Sequence, residues 1–259
     1  MKGMAASLIL LAGIDAYPQD EYIGVRLREW HAKMEGQIQG QGQSLPAFDV
    51  DLDRHLGIED SENVHEIQGY LGIPLLGSVY VGWWFGTFKG DRTLTETIVF
   101  ADQQFDVNTT VQSELELNVY YLSFEIGLPA IPLGDVLQFK VGILPGVRVI
   151  HADGEVENEF FRGQDEGIIG IPLVGVHAAL QVTPYLRADV EVMGLSFKYG
   201  DSSGTYIEAF VEAVGQIGPL FGGVGYKYVD LDLHDHRGDT DFDLMIDITG
   251  PYLTVGVRF

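Results

Sequence analysis

The acidic segment at 49–60 comes closest in this sequence to a metal-binding loop. It reads DVDLDRHLGIED, with carboxylates at its first, third and fifth positions, Asp49, Asp51 and Asp53. Alternate carboxylates of this kind supply the oxygen ligands that Ca²⁺ prefers. An EF-hand also needs flanking helices and a glycine at the sixth position, where this chain has Arg54. The sequence predicts a weak, loop-bound calcium site here and no other cofactor.

A second group of reactive residue types lies near the C-terminus. His234 and His236 stand two residues apart, with Asp232 and Asp235 beside them, so the two histidines share one face of any strand that spans them. A His–Asp pair can polarise water for hydrolysis, whereas zinc would need a third ligand that the sequence does not identify. The chain has no G-x-S-x-G elbow and no cysteine nucleophile. We therefore expect a protein that is not an enzyme, with a hydrolase as the least favoured alternative.

Composition excludes several other classes of protein. The chain has 259 residues, no cysteine and a formal net charge of −23. The absence of cysteine excludes a disulfide scaffold and a thiolate metal site. The acidity excludes nucleic acid as a partner, because phosphate binding needs clustered Lys and Arg. Hydrophobic residues make up 46% of the chain, which is too many for a disordered protein.

The elements that must position these residues are β-strands with alternating apolar and polar side chains. The pattern predicts ten of them, at 21–34, 65–74, 78–89, 110–127, 136–151, 167–182, 185–199, 205–217, 221–233 and 243–259. Short connections rich in Pro and Gly alternate with longer polar ones, which is typical of an up-and-down antiparallel barrel. An eight-stranded barrel remains an alternative if the first hairpin is irregular.

The polar faces of these strands carry nearly equal numbers of acidic and basic residues. In a closed lumen buried charges must be paired, whereas the water-exposed surface of so acidic a protein should carry more acidic than basic residues. We therefore predict one transmembrane barrel with its apolar faces toward lipid, including Leu115, Leu117, Val119 and Tyr121 of strand 110–127, and a soluble barrel is the main rival. The predicted luminal charge network comprises Arg26, Arg28, Glu66, Glu114, Glu116, Lys140, Arg148, Arg187, Asp189, Glu191, Glu208, Glu212, Lys227 and Arg258.

The C-terminal strand points to a particular class of membrane protein. Leu253, Val255, Val257 and Phe259 alternate with polar or small residues, and the chain ends on the aromatic residue. This pattern resembles the C-terminal signature of Gram-negative outer-membrane β-barrel proteins. The resemblance implies a bacterial outer-membrane location, insertion by the barrel-assembly machinery through this strand, and contact with outer-membrane lipid and lipopolysaccharide.

The N-terminus has the features of a secretory signal peptide. Lys2 precedes an apolar stretch from Ala5 to Ile14, with the small residues Gly13 and Ala16 at its downstream end. The predicted organisation is a signal peptide at 1–16 and a barrel at 17–259. We expect a structural or surface-interaction role, with a charge-paired lumen and acidic extracellular loops. The alternatives are a narrow channel for cations or small solutes and, less favoured, a membrane-embedded hydrolase.

Overall fold

Ten long strands form the framework of the molecule. The structure is a computed structural model that describes residues 23–41, 48–58, 62–73, 77–100, 103–134, 137–158, 162–199, 202–237 and 240–259. The predicted signal peptide lies outside these residues. The strands are β1 (Ile23–Gln41), β2 (Glu62–Ile73), β3 (Gly77–Thr93), β4 (Thr110–Gly127), β5 (Gln138–Glu157), β6 (Arg162–Thr183), β7 (Leu186–Tyr199), β8 (Ser202–Ile217), β9 (Leu220–Arg237) and β10 (Thr240–Arg258).

Short strands at Phe48–Asp51, Ile98–Phe100, Gln103–Phe105 and Ile131–Pro132 complete the secondary structure of the described residues. Within them, no helix is long and apolar enough to span a membrane.

The ten strands close into a barrel in which every neighbouring pair is antiparallel. Each strand pairs with the next along the chain, and β10 returns to pair with β1, from Gly24 opposite Arg258 to Gln41 opposite Asp241. Tight turns help to hold this register, as at Gly218, whose φ of 59° favours glycine. The predicted fold class, a ten-stranded up-and-down barrel, is confirmed.

The chemistry of the two faces inverts near the middle of the strands, although the alternation of side chains stays in phase. Strand β1 illustrates this arrangement. Its inward side chains are Arg26 and Arg28 and then the buried Trp30, Ala32 and Met34, and its outward side chains are Ile23, Val25 and Leu27 and then Glu29, His31 and Lys33. One end of the barrel is therefore apolar outside and charged inside, and the other is polar outside and apolar inside.

This inversion follows from the length of the strands. They run from 12 residues in β2 to 22 in β6, whereas a tilted strand crosses a bilayer in roughly 9–11 residues. The apolar outer band lies at the end where β1 begins and β10 ends, which is periplasmic in bacterial barrels. The remaining part of the barrel projects beyond the bilayer, where water surrounds it and its interior must be apolar.

Strand β4 corrects one prediction. Leu117, Val119 and Tyr121 are buried inside the barrel, with Leu115 on the same face, and do not face lipid. The prediction treated the whole of 114–121 as membrane-embedded, but most of this segment belongs to the projecting half. The lipid-facing residues of β4 have the other parity, as at Leu122 and Ile126.

Candidate functional site

The interior of the periplasmic half contains a chain of alternating charges, which we call the luminal belt. Arg26 lies 3.2 Å from Glu212, which also faces Arg28 at 3.7 Å. Arg28 in turn pairs with Glu66 at 2.5 Å. The belt continues through Lys227, whose ammonium lies 3.2 Å from Glu66 and 3.0 Å from Glu208. Arg148 closes this series, donating to Glu208 at 2.8 Å.

A second branch of the belt is centred on a histidine. The imidazole of His177 lies between two carboxylates, with Nδ1 at 3.2 Å from Glu125 and Nε2 at 3.4 Å from Asp189. Lys140 approaches Glu125 at 3.1 Å and Arg187 donates to Asp189 at 2.8 Å. Each buried charge in this branch therefore has an opposite partner, as burial in a low dielectric requires.

The belt is close to electrically neutral. Its cationic side chains are Arg26, Arg28, Lys140, Arg148, Arg187 and Lys227, and its carboxylates are Glu66, Glu125, Asp189, Glu191, Glu208 and Glu212. Glu191 has no ion pair among the described residues and lines a small void beside Arg148 and Glu208, with a volume of about 10 Å³. A void of that size holds about one water molecule.

Two of the predicted network residues lie outside the lumen. Glu114 and Glu116 point outward from the projecting half, and Glu114 pairs there with Lys89 at 3.0 Å. Their assignment to the lumen was wrong because water, and not lipid, surrounds this part of β4. Arg258 has the inward parity of β10 at the periplasmic end, where its guanidinium lies 5.8 Å from the ring centroid of Phe221, the ring that Arg26 faces at 5.4 Å.

Sequence reasoning missed Glu125 and His177. Glu125 has the parity of β4 that was assigned to lipid, and His177 lies in β6, which reads as apolar on both faces. The sequence does contain a signal for their inward position. Both residues occur among apolar residues close to a periplasmic turn, where an unpaired charge facing lipid would be costly.

Above the belt, the projecting half contains a cluster of buried apolar side chains, which we call the apolar core. Trp30 and Trp84 pack edge to face at 6.0 Å and form its floor, and the ammonium of Lys227 lies 5.3 Å and 5.5 Å from their ring centroids. The larger side chains buried above this floor include Met34, Leu52, Ile58, Phe88, Leu94, Phe105 and Ile150. Together, the core and the belt leave the interior tightly filled.

Two loops cover the extracellular end of this core. Loop L1, residues 48–58, inserts Leu52, Leu56 and Ile58, and Ser113 Oγ donates to the carbonyl oxygen of Leu56 at 2.6 Å. Loop L2, described at residues 94–100 and 103–109, inserts Leu94, Ile98 and Phe105.

A cavity of about 830 Å³ lies between the two loops. Its lining residues are Gln37, Asp49, Asp51, Arg54, His55, Arg92, Thr95, Glu96, Thr97, Ile98, Val99 and Gln104.

The predicted calcium ligands contribute to this cavity but do not converge. Asp49 accepts from the amide of Gln37 at 2.5 Å, and Asp51 accepts from the backbone N–H of Arg54 at 2.8 Å. Asp53 pairs with Arg92 at 3.4 Å. Within the described residues, no three acidic or histidine side chains are grouped closely enough to hold a metal ion.

Several histidines lie next to carboxylates outside the membrane, among them His65 beside Glu29 at 2.6 Å and His151 beside Glu166 at 3.9 Å. In His55 and His234, both ring nitrogens face a neighbouring group. His55 Nδ1 accepts the N–H of Asp51 at 2.9 Å, so Nε2 carries the proton and donates to Glu96 at 2.7 Å. His234 lies outside the barrel, 2.7 Å from Asp243 and 3.1 Å from Asp232. The hydrogen bond with Asp243 raises the pKa of His234 above its ordinary value. The side chains of Asp235 and His236 lie outside the described part of the structure.

The C-terminal strand lies where the resemblance implied. Leu253 and Val255 point outward and are 62% and 58% exposed, Val257 shares their parity, and Phe259 ends the strand at the periplasmic rim. Outward apolar side chains on a closed antiparallel barrel are the solution that a lipid environment requires, because no backbone group is left unpaired.

The comparisons with known proteins rest on structure. No protein-family model matches the chain, and no curated protein matches it. The structure is similar to the outer-membrane protease OmpT from Escherichia coli, with 9% identity over 93% of this chain and 98% of that chain, and a TM-score of 0.49. It is also similar to the translocator domain of autotransporter NalP from Neisseria meningitidis, with 10% identity over 97% and 92% of the two chains and a TM-score of 0.44. The attachment invasion locus protein Ail of Yersinia pestis matches with 8% identity, 92% and 99% coverage, and a TM-score of 0.30.

The predicted up-and-down antiparallel barrel is confirmed by this chain's own closed set of ten strands. Its outward apolar band and paired luminal charges are typical of barrels that span bacterial outer membranes.

Proposed function

We propose that this protein is a non-conducting outer-membrane barrel that works through its projecting extracellular half. The observation that supports this proposal most strongly is the apolar core above the belt, where Trp30, Trp84 and Phe88 are almost fully buried. Ions and polar solutes cannot cross a dry, close-packed interior at a useful rate. A barrel that does not conduct, and that extends well beyond the bilayer, presents its loops to molecules outside the cell.

The channel alternative has less support. A selective channel needs a hydrated path and a ring of uncompensated charge. Here the luminal carboxylates are already neutralised by ion pairs, as Glu66 and Glu208 are by Lys227. Arg28 and Arg148 provide the second partner of each. The lumen therefore offers a permeating cation little net attraction. The hydrolase alternative has less support, because both ring nitrogens of His55 are hydrogen-bonded and both ring nitrogens of His234 face carboxylates within 3.1 Å.

Reconstitution into planar bilayers tests the proposal. We expect no single-channel steps from the purified, folded protein, with a general porin in the same bilayers as the positive control. Heat-modifiable migration on a gel verifies folding of the sample before measurement. Steady, reproducible conductance steps would replace this proposal with the narrow-channel alternative.

We further propose lipopolysaccharide as the lipid partner of the projecting half. In support, Glu35, Asp247 and Asp230 lie side by side in register on the outer faces of β1, β10 and β9. Burial and the neighbouring Asp247 raise the pKa of the Asp230 carboxyl. Because these carboxylates are not grouped closely enough to hold a metal ion by themselves, the lipid phosphates would have to supply the remaining ligands of a bridging divalent cation. Retention of lipopolysaccharide by the purified barrel should then need Mg²⁺ and should fall on chelation, whereas retention that resists chelation would contradict the proposal.

The barrel-assembly machinery remains the proposed partner of β10 during insertion. Replacing Phe259 by Ala should slow assembly in cells, measured as the fraction of heat-modifiable protein. Unchanged assembly would remove this partner.

A further inference from the structure

We propose that the cavity between L1 and L2 is a binding site for a neutral, hydroxyl-rich ligand, namely a short saccharide. This inference rests on the proposed function, because it names the class of molecule that the extracellular half would bind. It is carried by the size of the cavity, by its fixed walls and by the way its charged groups pair with one another.

The cavity has the dimensions of a preformed small-molecule site. Its volume of about 830 Å³ falls within the range of roughly 300–1,000 Å³ that is usual for such sites. Both walls are anchored in the apolar core, L1 through Leu52 and Leu56 and L2 through Leu94 and Phe105. Anchored walls lower the entropy lost on binding, because the loops need little further ordering.

The charged groups of the cavity face opposite charges before any ligand arrives, although the guanidinium of the exposed Arg54 lies no closer than 3.9 Å to Asp51. Arg92 donates to the carbonyl oxygen of Asp53 and faces its carboxylate, and His55 donates to Glu96. An anionic ligand would have to compete with these carboxylates for the guanidinium groups. Because no group of three metal-binding side chains occurs within the described residues, the geometry also gives no support to a cation held by the protein alone.

The remaining lining groups mix hydrogen-bond donors with acceptors. Gln37, Gln104, Thr95 and Thr97 contribute amides and hydroxyls between the charged pairs. A sugar hydroxyl both donates and accepts, so a saccharide can satisfy such a wall without displacing an ion pair. The described lining includes no Trp, Tyr or Phe ring for a sugar to stack on. We therefore expect weak binding, with a Kd of about 0.1–1 mM.

Titration calorimetry with three neutral trisaccharides tests the proposal. The probes are maltotriose, cellotriose and tri-N-acetylchitotriose, and the full chain is refolded in a detergent without a sugar headgroup. We expect saturable binding of at least one probe. Thr95→Trp, which fills the cavity, should abolish that binding, whereas Thr93→Trp, at the exposed end of β3 outside the lining, should leave it unchanged. Gln104→Trp is a second filling variant on the opposite part of L2, in case Thr95→Trp does not fold.

A charge-neutral variant separates saccharides from cationic ligands. Glu96→Gln keeps a hydrogen-bonding group next to His55 but removes its charge, so saccharide affinity should change by less than about threefold. A loss of more than about tenfold would overturn the assignment to a neutral ligand. The proposal also fails if none of the three probes saturates at about 10 mM, or if the folded filling variants bind as tightly as the parent protein.

Two further experiments identify the source of the sugar and distinguish failure of this inference from failure of the proposed function. Saccharide binding is measured in lipid discs with and without lipopolysaccharide. Weaker binding in the discs that contain lipopolysaccharide assigns the site to membrane sugars, and equal binding in both assigns it to free saccharides. The same preparations are tested for conductance. A barrel that neither binds sugar nor conducts ions removes only this inference, and a conducting barrel removes the proposed function itself.

Discussion

The luminal belt and the apolar core occupy the same barrel interior, on the same inward-facing positions of the same strands. In β1 the inward face changes from Arg28 to Trp30 within a single alternation. The belt holds charge inside because lipid lies outside, and the core holds apolar side chains inside because water lies outside. The surrounding solvent, and not the strand geometry, therefore decides which face of each strand is apolar.

The two regions also differ in how their stability responds to mutation. The belt consists of charges that each depend on a partner, so removing one leaves another uncompensated. The core consists of apolar groups whose loss leaves a cavity. Lys227 joins the two regions, since it pairs with Glu66 and Glu208 below and contacts Trp30 and Trp84 above.

The largest effect is expected from Lys227→Met. This change leaves Glu66 and Glu208 with fewer cationic partners in a buried site, and should lower the free energy of unfolding by about 3–5 kcal/mol. Reversible urea unfolding in lipid vesicles, followed by tryptophan fluorescence, measures the loss. Lys89→Met removes an exposed lysine that also has a glutamate partner, and should cost less than about 1 kcal/mol. Equal effects of the two substitutions would show that the belt is not buried.

Truncation in the core should have the next largest effect. Met34 is fully buried, and Met34→Ala should destabilise the barrel by about 2–4 kcal/mol through the cavity that it leaves. Met245 on β10 has the outward parity, and Met245→Ala should change the free energy of unfolding by less than about 1 kcal/mol. The same urea experiment compares them. A Met34→Ala variant as stable as its control would mean that the projecting half has no packed core.

Substitution of a glycine at the boundary between the two regions should lower the free energy of unfolding by a smaller amount. A Cβ on Gly82 would lie 2.4 Å from the ring of Tyr121, whose hydroxyl donates to Glu66 at 2.6 Å. Gly82→Ala should displace this ring and cost about 1–3 kcal/mol. Gly170→Ala meets nothing within 4 Å and should be nearly neutral, within about 0.5 kcal/mol. If both variants unfold at the parent's urea midpoint, the ring is not wedged against the glycine.

The smallest effect is expected where paired charges lie in water. Because the pKa of His234 is raised, its contribution to stability is complete below its ordinary pKa of about 6.5 and is lost as the pH rises through the raised value. Solvent screens this largely exposed pair, so His234→Ala should cost less than about 1 kcal/mol near pH 5.5, and a smaller amount near pH 9.

Stability measured at both pH values provides the check on His234. His31→Ala is the control, because His31 faces only the amide of Asn63 among its described hydrogen-bond partners. A pH-independent loss in His234→Ala would contradict the pairing with Asp243.

Much of the barrel was predictable because alternation is a local property of the chain. The sequence predicted ten strands, the closed antiparallel fold and the outward parity of Leu253 and Val255. It failed in β4, where Leu117 and Glu116 were assigned to the wrong sides. Alternation states that two faces differ, but it does not state which solvent each face meets. Along the sequence, the apolar residues also change parity near Gly194, Val229 and Gly250. These changes have the same origin, since the strand register is continuous there and only the surroundings change.

The sequence by itself determined the strands, their pairing order and the near balance of luminal charge, because each depends on residue type and spacing along one chain. Only the tertiary structure decided how far the barrel projects, which charges meet, and that His177 joins Glu125 with Asp189. It also formed the cavity by bringing His55 of L1 to Glu96 of L2, 41 residues apart in the chain. Such contacts depend on the shear of the closed barrel and on the folding of loops over its end, and local spacing specifies neither.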